Sequence, residues 1–241
     1  MSKAFSKNRR RRELFCSAVV VAAGASTRMG EDKMFMPLGG IPVLARSLTA
    51  FESCDAIDEI VVVTNSEAII DVAHLCRDYN ISKASKVLVG GATRLESALA
   101  GLSEISDSAD LAAIHDGARP LVSREIIEKT AQAAAEHLAA APALPVRDTI
   151  KFVRDGSTVS TPDRETLMST QTPQIFEADL IKAALTDAFT KGLNATDDSA
   201  AVEALGVKVR LTEGSEENIK ITTAFDITVA EAILRNRGEI K

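Results

Sequence analysis

Residues 17–24 read Ser-Ala-Val-Val-Val-Ala-Ala-Gly, and the fold class can be read outward from them. Valines flanked by small residues, with no polar alternation, make a segment that is apolar on both sides. Such a segment suits a strand buried on both faces, as in the middle of a parallel sheet. The pattern recurs downstream. Glu59-Ile-Val-Val-Val-Thr, Lys86-Val-Leu-Val and Leu111-Ala-Ala-Ile-His, the last ending at Asp116, have strand length. Helical spacing fills the intervals at 42–51, 66–79 and 93–102, and an Ala-rich helical pattern covers 124–140. Strands that alternate with helices predict βαβ units and a mostly parallel, twisted sheet flanked by helices.

The rhythm breaks between Pro142 and Pro173. Val146–Val153 and Ser157–Thr161 are β-like, and Asp155-Gly156 between them is a hairpin signal. An arm over about 146–165 is therefore expected, able to project and pair with another subunit. Helical patterns return at 177–190 and 198–205. Val207–Leu211 and Asn218–Thr222 read as strands, and a last helix as 224–235.

Composition narrows the class. The 241 residues are 46% apolar and 26% charged, ordinary for a globular chain and unlike a disordered or fibrous one. No apolar run approaches the roughly 18 residues of a membrane span. Cys16, Cys54 and Cys76 are scattered and form no C-x-x-C pair. A disulfide scaffold and a structural zinc site are thus disfavoured, and a reducing cytoplasm is the expected compartment. The net charge is −6, although residues 1–12 carry Lys3, Lys7 and Arg9 to Arg12 and no acid. An acidic body repels phosphate backbones, so no nucleic-acid partner is expected. Residues 1–16 are expected to be a basic, solvated leader. It has no apolar h-region and so is not a secretory signal.

Ligands of parallel α/β sheets bind beyond the carboxyl ends of the strands. After the first strand comes Ala22-Ala23-Gly24-Ala25-Ser26-Thr-Arg28-Met-Gly-Glu-Asp-Lys33. Small residues let backbone N–H groups approach an anion closely, and Arg28 and Lys33 add charge. The loop suits a polyphosphate, though it matches neither G-x-x-x-x-G-K-[ST] nor G-x-G-x-x-G. A plain strand-to-helix turn with two surface cations is the other reading.

The loop is similar to the signature loop of nucleotidyltransferases that activate sugars and related alcohols. Further motifs follow in order: Gly90-Gly-Ala-Thr-Arg-Leu-Glu-Ser, His115-Asp-Gly-Ala-Arg-Pro, Pro145-Val-Arg-Asp-Thr-Ile-Lys, Thr172-Pro-Gln and Glu217-Asn-Ile-Lys-Ile-Thr. Together they resemble the 2-C-methyl-D-erythritol 4-phosphate cytidylyltransferase family over about residues 17–235. The resemblance implies a Rossmann-like nucleotidyltransferase domain over 17–241. It also implies transfer of CMP from CTP to the polyol phosphate, with Mg²⁺ and release of pyrophosphate, in non-mevalonate isoprenoid synthesis. It casts Arg28 and Lys33 as stabilisers of the transition state, and Ala22 to Ser26, Gly90, Gly91, Arg94 and Ser97 as nucleotide contacts. Asp116 would hold the metal. Asp116, Gly117, Arg119, Thr149, Arg164, Thr172, Thr196 and Lys220 would meet the acceptor, with Arg164 and Lys220 positioning its phosphate. Asp197 beside Thr196 would lie near the polyol. The arm would reach into a partner's site, making a homodimer.

The chain departs from the family pattern in three places: the loop between Arg28 and Lys33 is short, Ala92 stands where some relatives have Asp, and Gly117 where Ala is usual. An anionic nucleophile needs no strong base, so His115 is expected to be structural, and His74 and His137 have no role. Three other readings stay open: a cytidylyltransferase for another polyol phosphate such as ribitol 5-phosphate, a molybdenum-cofactor guanylyltransferase, and a non-catalytic nucleotide-binding subunit.

Overall fold

A computed structural model of the chain describes residues 14–24, 33–193 and 197–241. Most of the expected leader lies outside them. The first half is strand-helix alternation: β1 (Cys16–Val21), a small ribbon of β2 (Pro37–Leu38) and β3 (Ile41–Pro42), α1 (Val43–Glu52), β4 (Glu59–Thr64), α2 (Ile69–Asp78), β5 (Ala84–Val89), α3 (Arg94–Leu102) and β6 (Leu111–Asp116). Next come α4 (Arg124–His137), β7 (Ala139–Pro145), the hairpin β8 (Phe152–Arg154) and β9 (Ser157–Ser160), then β10 (Met168–Thr170) and β11 (Gln174–Glu177). The chain ends with α5 (Ala178–Thr190), α6 (Asp198–Ala204), β12 (Arg210–Glu213) and α7 (Ala224–Asn236).

The valines of β1 make it central. Val19 pairs with Val61 of β4 on one side and Ile114 of β6 on the other, both in parallel. The main sheet runs β5-β4-β1-β6-β11-β7, and β7 also pairs with β10 and β12. Within this sheet β10 and β11 run against the parallel direction. After β5 the chain crosses back over α3 and lays β6 on the far side of β1. The carboxyl ends of β1 and β6 therefore flank a topological switch point, where such sheets bind ligands.

Alternate residues feed two cores. Ala18, Val20, Ile60, Val62 and Ala113 pack with residues of α1, α2 and α4. Val19, Val61, Val63, Ala112 and Ile114 pack with α3, α5 and α6. Gly101 lets α3 lie flat on β1, because a Cβ there would sit 2.3 Å from Val19 Cγ1. A third cluster seats α7 through Ala230 and Leu234 on Leu38, Val43, Leu121 and Ile221.

The structure differs from the sequence expectation in several elements. The Ala-rich helix stops at His137, where Leu138 turns left-handed at φ 69° and its N–H closes on Ala134 O. Ala139–Ala141 and Ala143 then become fully buried strand, because alanine fits between two neighbouring strands. β10 and β11 hide in a polar stretch around the cis Thr172–Pro173 bond. Residues 218–222, expected as a strand, are irregular and anchored by the burial of Asn218 and Ile221. In the arm only β8 and β9 pair, around Asp155 (φ 50°) and Gly156 (φ 75°), the positive-φ turn that Asp-Gly favours.

Candidate active site

Two clefts open at the switch point. The first, about 330 Å³, is lined by Val21, Ala23 and Gly24 after β1, by Lys33 and Met34, by Gly91 to Arg94 and Ser97 at the start of α3, and by Asp116, Ala118 and Lys220. The second, about 260 Å³, is lined by Arg94, Asp116, Arg119, Thr170, Gln171, Thr172, Gln174, Asp197 and Lys220. Arg94, Asp116 and Lys220 line both and form the seam between them.

Local chemistry shapes the first cleft. Thr93 caps α3: its Oγ1 accepts from Glu96 N–H, and Thr93 N–H donates back to Glu96 Oε2 at 2.8 Å. This reciprocal cap holds the Gly90-Gly91 turn against the helix start. A Cβ on Gly91 would lie 2.3 Å from Glu96 Cβ, so glycine is required there. Ser97 is turned inward and donates to Thr93 O at 2.9 Å.

Asp116 is the electrostatic hub. It is buried at the end of β6, with Oδ1 3.1 Å from Arg94 Nε, and Oδ2 2.8 Å from Lys220 Nζ and 3.7 Å from Arg119 Nε. Burial alone would raise its pKa. Arg94, Lys220 and Arg119 outweigh burial and hold the carboxyl well below the usual range. Arg94 is itself gripped by Asp198, with Nη1 to Oδ1 at 2.9 Å and Nη2 to Oδ2 at 2.8 Å. Arg119 donates through Nη1 to Asn218 O at 2.7 Å, while its buried Nε–H has no hydrogen-bond partner among the described residues.

Behind the seam, His115 is fully buried beside Phe51. Burial, then the charges of Arg119 and Arg94 against that of Asp116, push its pKa down to about 3. It is therefore neutral at ordinary pH. Its Nε2 faces the Arg119 carbonyl at 3.3 Å, which can only accept, so Nε2 carries the proton. Nδ1 then accepts from Thr172 Oγ1 at 3.1 Å, and that hydroxyl oxygen accepts from Asp116 N–H at 3.1 Å. The ring thus ties together three segments that border the seam and has no proton to exchange with a ligand. On the second cleft, Asp197 is pinned by Gln174 Nε2, Thr170 Oγ1 and Ala200 N–H.

The sequence profile of the 2-C-methyl-D-erythritol 4-phosphate cytidylyltransferase family matches residues 16–236. The chain belongs to this family. The 2-C-methyl-D-erythritol 4-phosphate cytidylyltransferase of Caldanaerobacter subterraneus subsp. tengcongensis is 44% identical over 227 residues, which is 91% of this chain and 98% of that protein. Among solved structures, the 4-diphosphocytidyl-2C-methyl-D-erythritol synthase of Anaerococcus prevotii aligns with a TM-score of 0.83 at 32% identity, over 92% of this chain and 97% of that one. The 2-C-methyl-D-erythritol 4-phosphate cytidylyltransferase of Thermus thermophilus aligns with a TM-score of 0.76 at 34% identity, over 92% and 100%.

Most of the motifs that carried the family resemblance contribute residues to the two clefts, and the Pro145–Lys151 motif does not. Ala23, Gly24, Lys33, Gly91, Arg94, Ser97 and Asp116 line the first cleft, and Ala22 and Gly90 are their chain neighbours. Arg119, Thr172, Asp197 and Lys220 line the second. Gly117 lies under the site, its carbonyl accepting from Ser47 Oγ at 2.7 Å. Ala25, Ser26, Arg28 and Thr196 lie outside the described residues. Thr149 and Arg164 line neither cleft of this chain; both are exposed on the arm, where Arg164 Nη1 donates to Arg147 O at 2.9 Å. Sequence reasoning gave no role to Asp198 or Asn218, and it marked Gln174 only as part of the Thr172-Pro-Gln loop. The signal for the first was the doubled Asp197-Asp198 at a helix start, where only one carboxylate is needed as the cap.

Proposed function

We propose that the protein transfers CMP from CTP to 2-C-methyl-D-erythritol 4-phosphate, releasing pyrophosphate. One observation carries the assignment of the chemistry to this site: two clefts of different lining share Arg94, Asp116 and Lys220. The nucleotide occupies the first cleft, with its base at the Gly91–Ser97 segment. The acceptor occupies the second, near Arg119, Thr172 and Asp197. A phosphate oxygen of the acceptor attacks the α-phosphorus, the bond to the β-phosphate breaks, and pyrophosphate leaves. The attacking oxygen is already anionic, so alignment and charge neutralisation do the catalytic work. Lys33, Lys220 and the Nε–H of Arg119 supply positive charge, and neutral His115 is not required as a base.

Mg²⁺ is part of this proposal. Among the described residues Asp116 is the carboxylate that lines the first cleft, and no group of three or more His, Cys, Asp or Glu could hold a metal. A lone carboxylate fits an ion whose other ligands are triphosphate oxygens and water. When bound, the ion neutralises and orients the triphosphate. Arg28 and Thr196 retain the roles that family membership implies.

The active unit is a homodimer. The β8–β9 ribbon pairs with no other strand among the described residues and exposes Phe152, Val153 and Val159. Two-stranded ribbons are marginal alone, and these apolar side chains call for a covering surface. A partner's arm would bring its own Thr149 and Arg164 to the second cleft.

Pyrophosphate release tests the activity. CTP and Mg²⁺ with methylerythritol 4-phosphate should give release, while ribitol 5-phosphate or GTP as replacement should not. Release with ribitol 5-phosphate alone would overturn the acceptor assignment.

A further inference from the structure

We propose that Asp198 is a positioning residue of the transfer reaction: it holds Arg94 so that Arg94 fixes, without fully neutralising, the carboxylate of Asp116. The inference rests on the cytidylyl-transfer reading of the two clefts.

Asp198 lines neither cleft and is 1% exposed. A carboxylate at that depth is costly unless it is paired and hydrogen-bonded. Capping does not account for it, because Asp197 already caps α6 by accepting from Ala200 N–H. Among the described residues its hydrogen bonds go to one place, the two parallel contacts from Arg94 Nη1 and Nη2. Arg94 has a third donor, Nε, and that one meets Asp116 Oδ1 at 3.1 Å. The planar guanidinium is thus used on two edges at once, which only arginine can do.

The division has a consequence. With both Nη groups held by Asp198, Arg94 gives Asp116 a single hydrogen bond. Lys220 meets the other oxygen from a half-exposed position that a ligand can reach. Asp116 is oriented from both sides yet keeps lone pairs for a phosphate-bound cation. If Asp198 loses its charge, the fork of Arg94 is free to turn onto Asp116 as a bidentate pair, which occupies both of its oxygens. The side chain that borders both clefts would then be neutralised at the place where charge matters most. Asp198 acts only through Arg94, so its effect should vanish when Arg94 can no longer bridge.

The test compares Asp198→Asn, Arg94→Lys and the double variant, each checked for native circular dichroism and melting. Both singles should lower kcat about 10- to 100-fold, as loss of the groups that orient a metal-site ligand does. Because the two residues act on one contact, the double variant should be no worse than the poorer single by more than about threefold. Calorimetric titration of CTP alone supplies the second readout: the gain in affinity on replacing EDTA with Mg²⁺ should shrink about tenfold in Asp198→Asn. Should Asp198→Asn not fold, Arg94→Lys, which keeps the charge but offers no fork, must show the same loss of the Mg²⁺-dependent gain. Wild-type kcat and Mg²⁺ response in a folded variant, or losses that multiply in the double variant, would overturn the inference. An inactive wild type that still binds CTP with a Mg²⁺-dependent gain would overturn the acceptor reading instead, and the titrations would still decide on Asp198.

Discussion

His115 stands at the head of the His115–Pro120 motif yet is placed where it cannot work as an acid or base, and replacing it with glutamine tests that placement. The folded pKa is about 3 against an ordinary 6.5, because burial disfavours the imidazolium. Between those two values the unfolded chain binds a proton that the folded chain refuses. Stability therefore falls as pH drops from about 6.5 towards 3, by up to about 1.4 kcal/mol per unit. From pH 7 to pH 5 the loss assigned to this one side chain is about 2 kcal/mol. With an m-value of about 2 to 3 kcal/mol/M, the urea midpoint should drop by about 0.7 to 1 M. Other groups titrate over the same range, so the quantity to measure is the difference between the wild type and His115→Gln. The glutamine is of similar volume and does not ionise, and its midpoint should fall less by that amount. The shape of the kcat–pH profile should be the same in both proteins. Equal acid sensitivity of the two, or loss of one limb of the rate profile in the variant, would refute the placement of His115 as a buried neutral brace.

Lys33→Ala should lower kcat by about 100-fold or more, with a smaller change in KM for CTP, since charge placed for a transition state is worth most there. Near-normal turnover would remove Lys33 from the site. Gly91→Ala should cost about 1 to 3 kcal/mol by forcing its methyl group onto Glu96, and should raise KM for CTP by distorting the capped turn; thermal melts and steady-state kinetics read the two effects. Phe152→Asp combined with Val159→Asp should shift sedimentation from dimer to monomer without melting the fold, and a dimer that survives would dissociate the arm from assembly. Mixing Lys33→Ala with Arg164→Ala after subunit exchange should recover part of the activity, whereas no recovery despite exchange would mean that the two residues serve the same chain.

The parallel half of the sheet was legible because β1 and β4 are runs of valine and isoleucine set between stretches of helical spacing. Of the site residues that the family resemblance marked, Gly91 and Asp116 line the first cleft and Arg119 the second. What escaped depends on tertiary context. Alanine carries helix propensity, so Ala139 and Ala140 read as the end of α4, whereas Leu138 breaks the helix and two strands close around β7. Residues 218–222 alternate like a strand, but Asn218 spends its side chain on Gln171 and Thr172 and keeps the segment out of the sheet. Asp198 escaped because its partner lies 104 residues away, and no local spacing announces a buried ion pair.

In the proposed function, nucleotide and acceptor meet at the seam formed by Arg94, Asp116 and Lys220. A crystal structure of the protein with CTP and Mg²⁺ tests it most directly. Cytosine should lie at the Gly91–Ser97 segment, the α-phosphate within reach of Lys220, and the ion on Asp116. Cytosine in the second cleft, or a triphosphate that leaves Asp116 and Lys220 untouched, would contradict it.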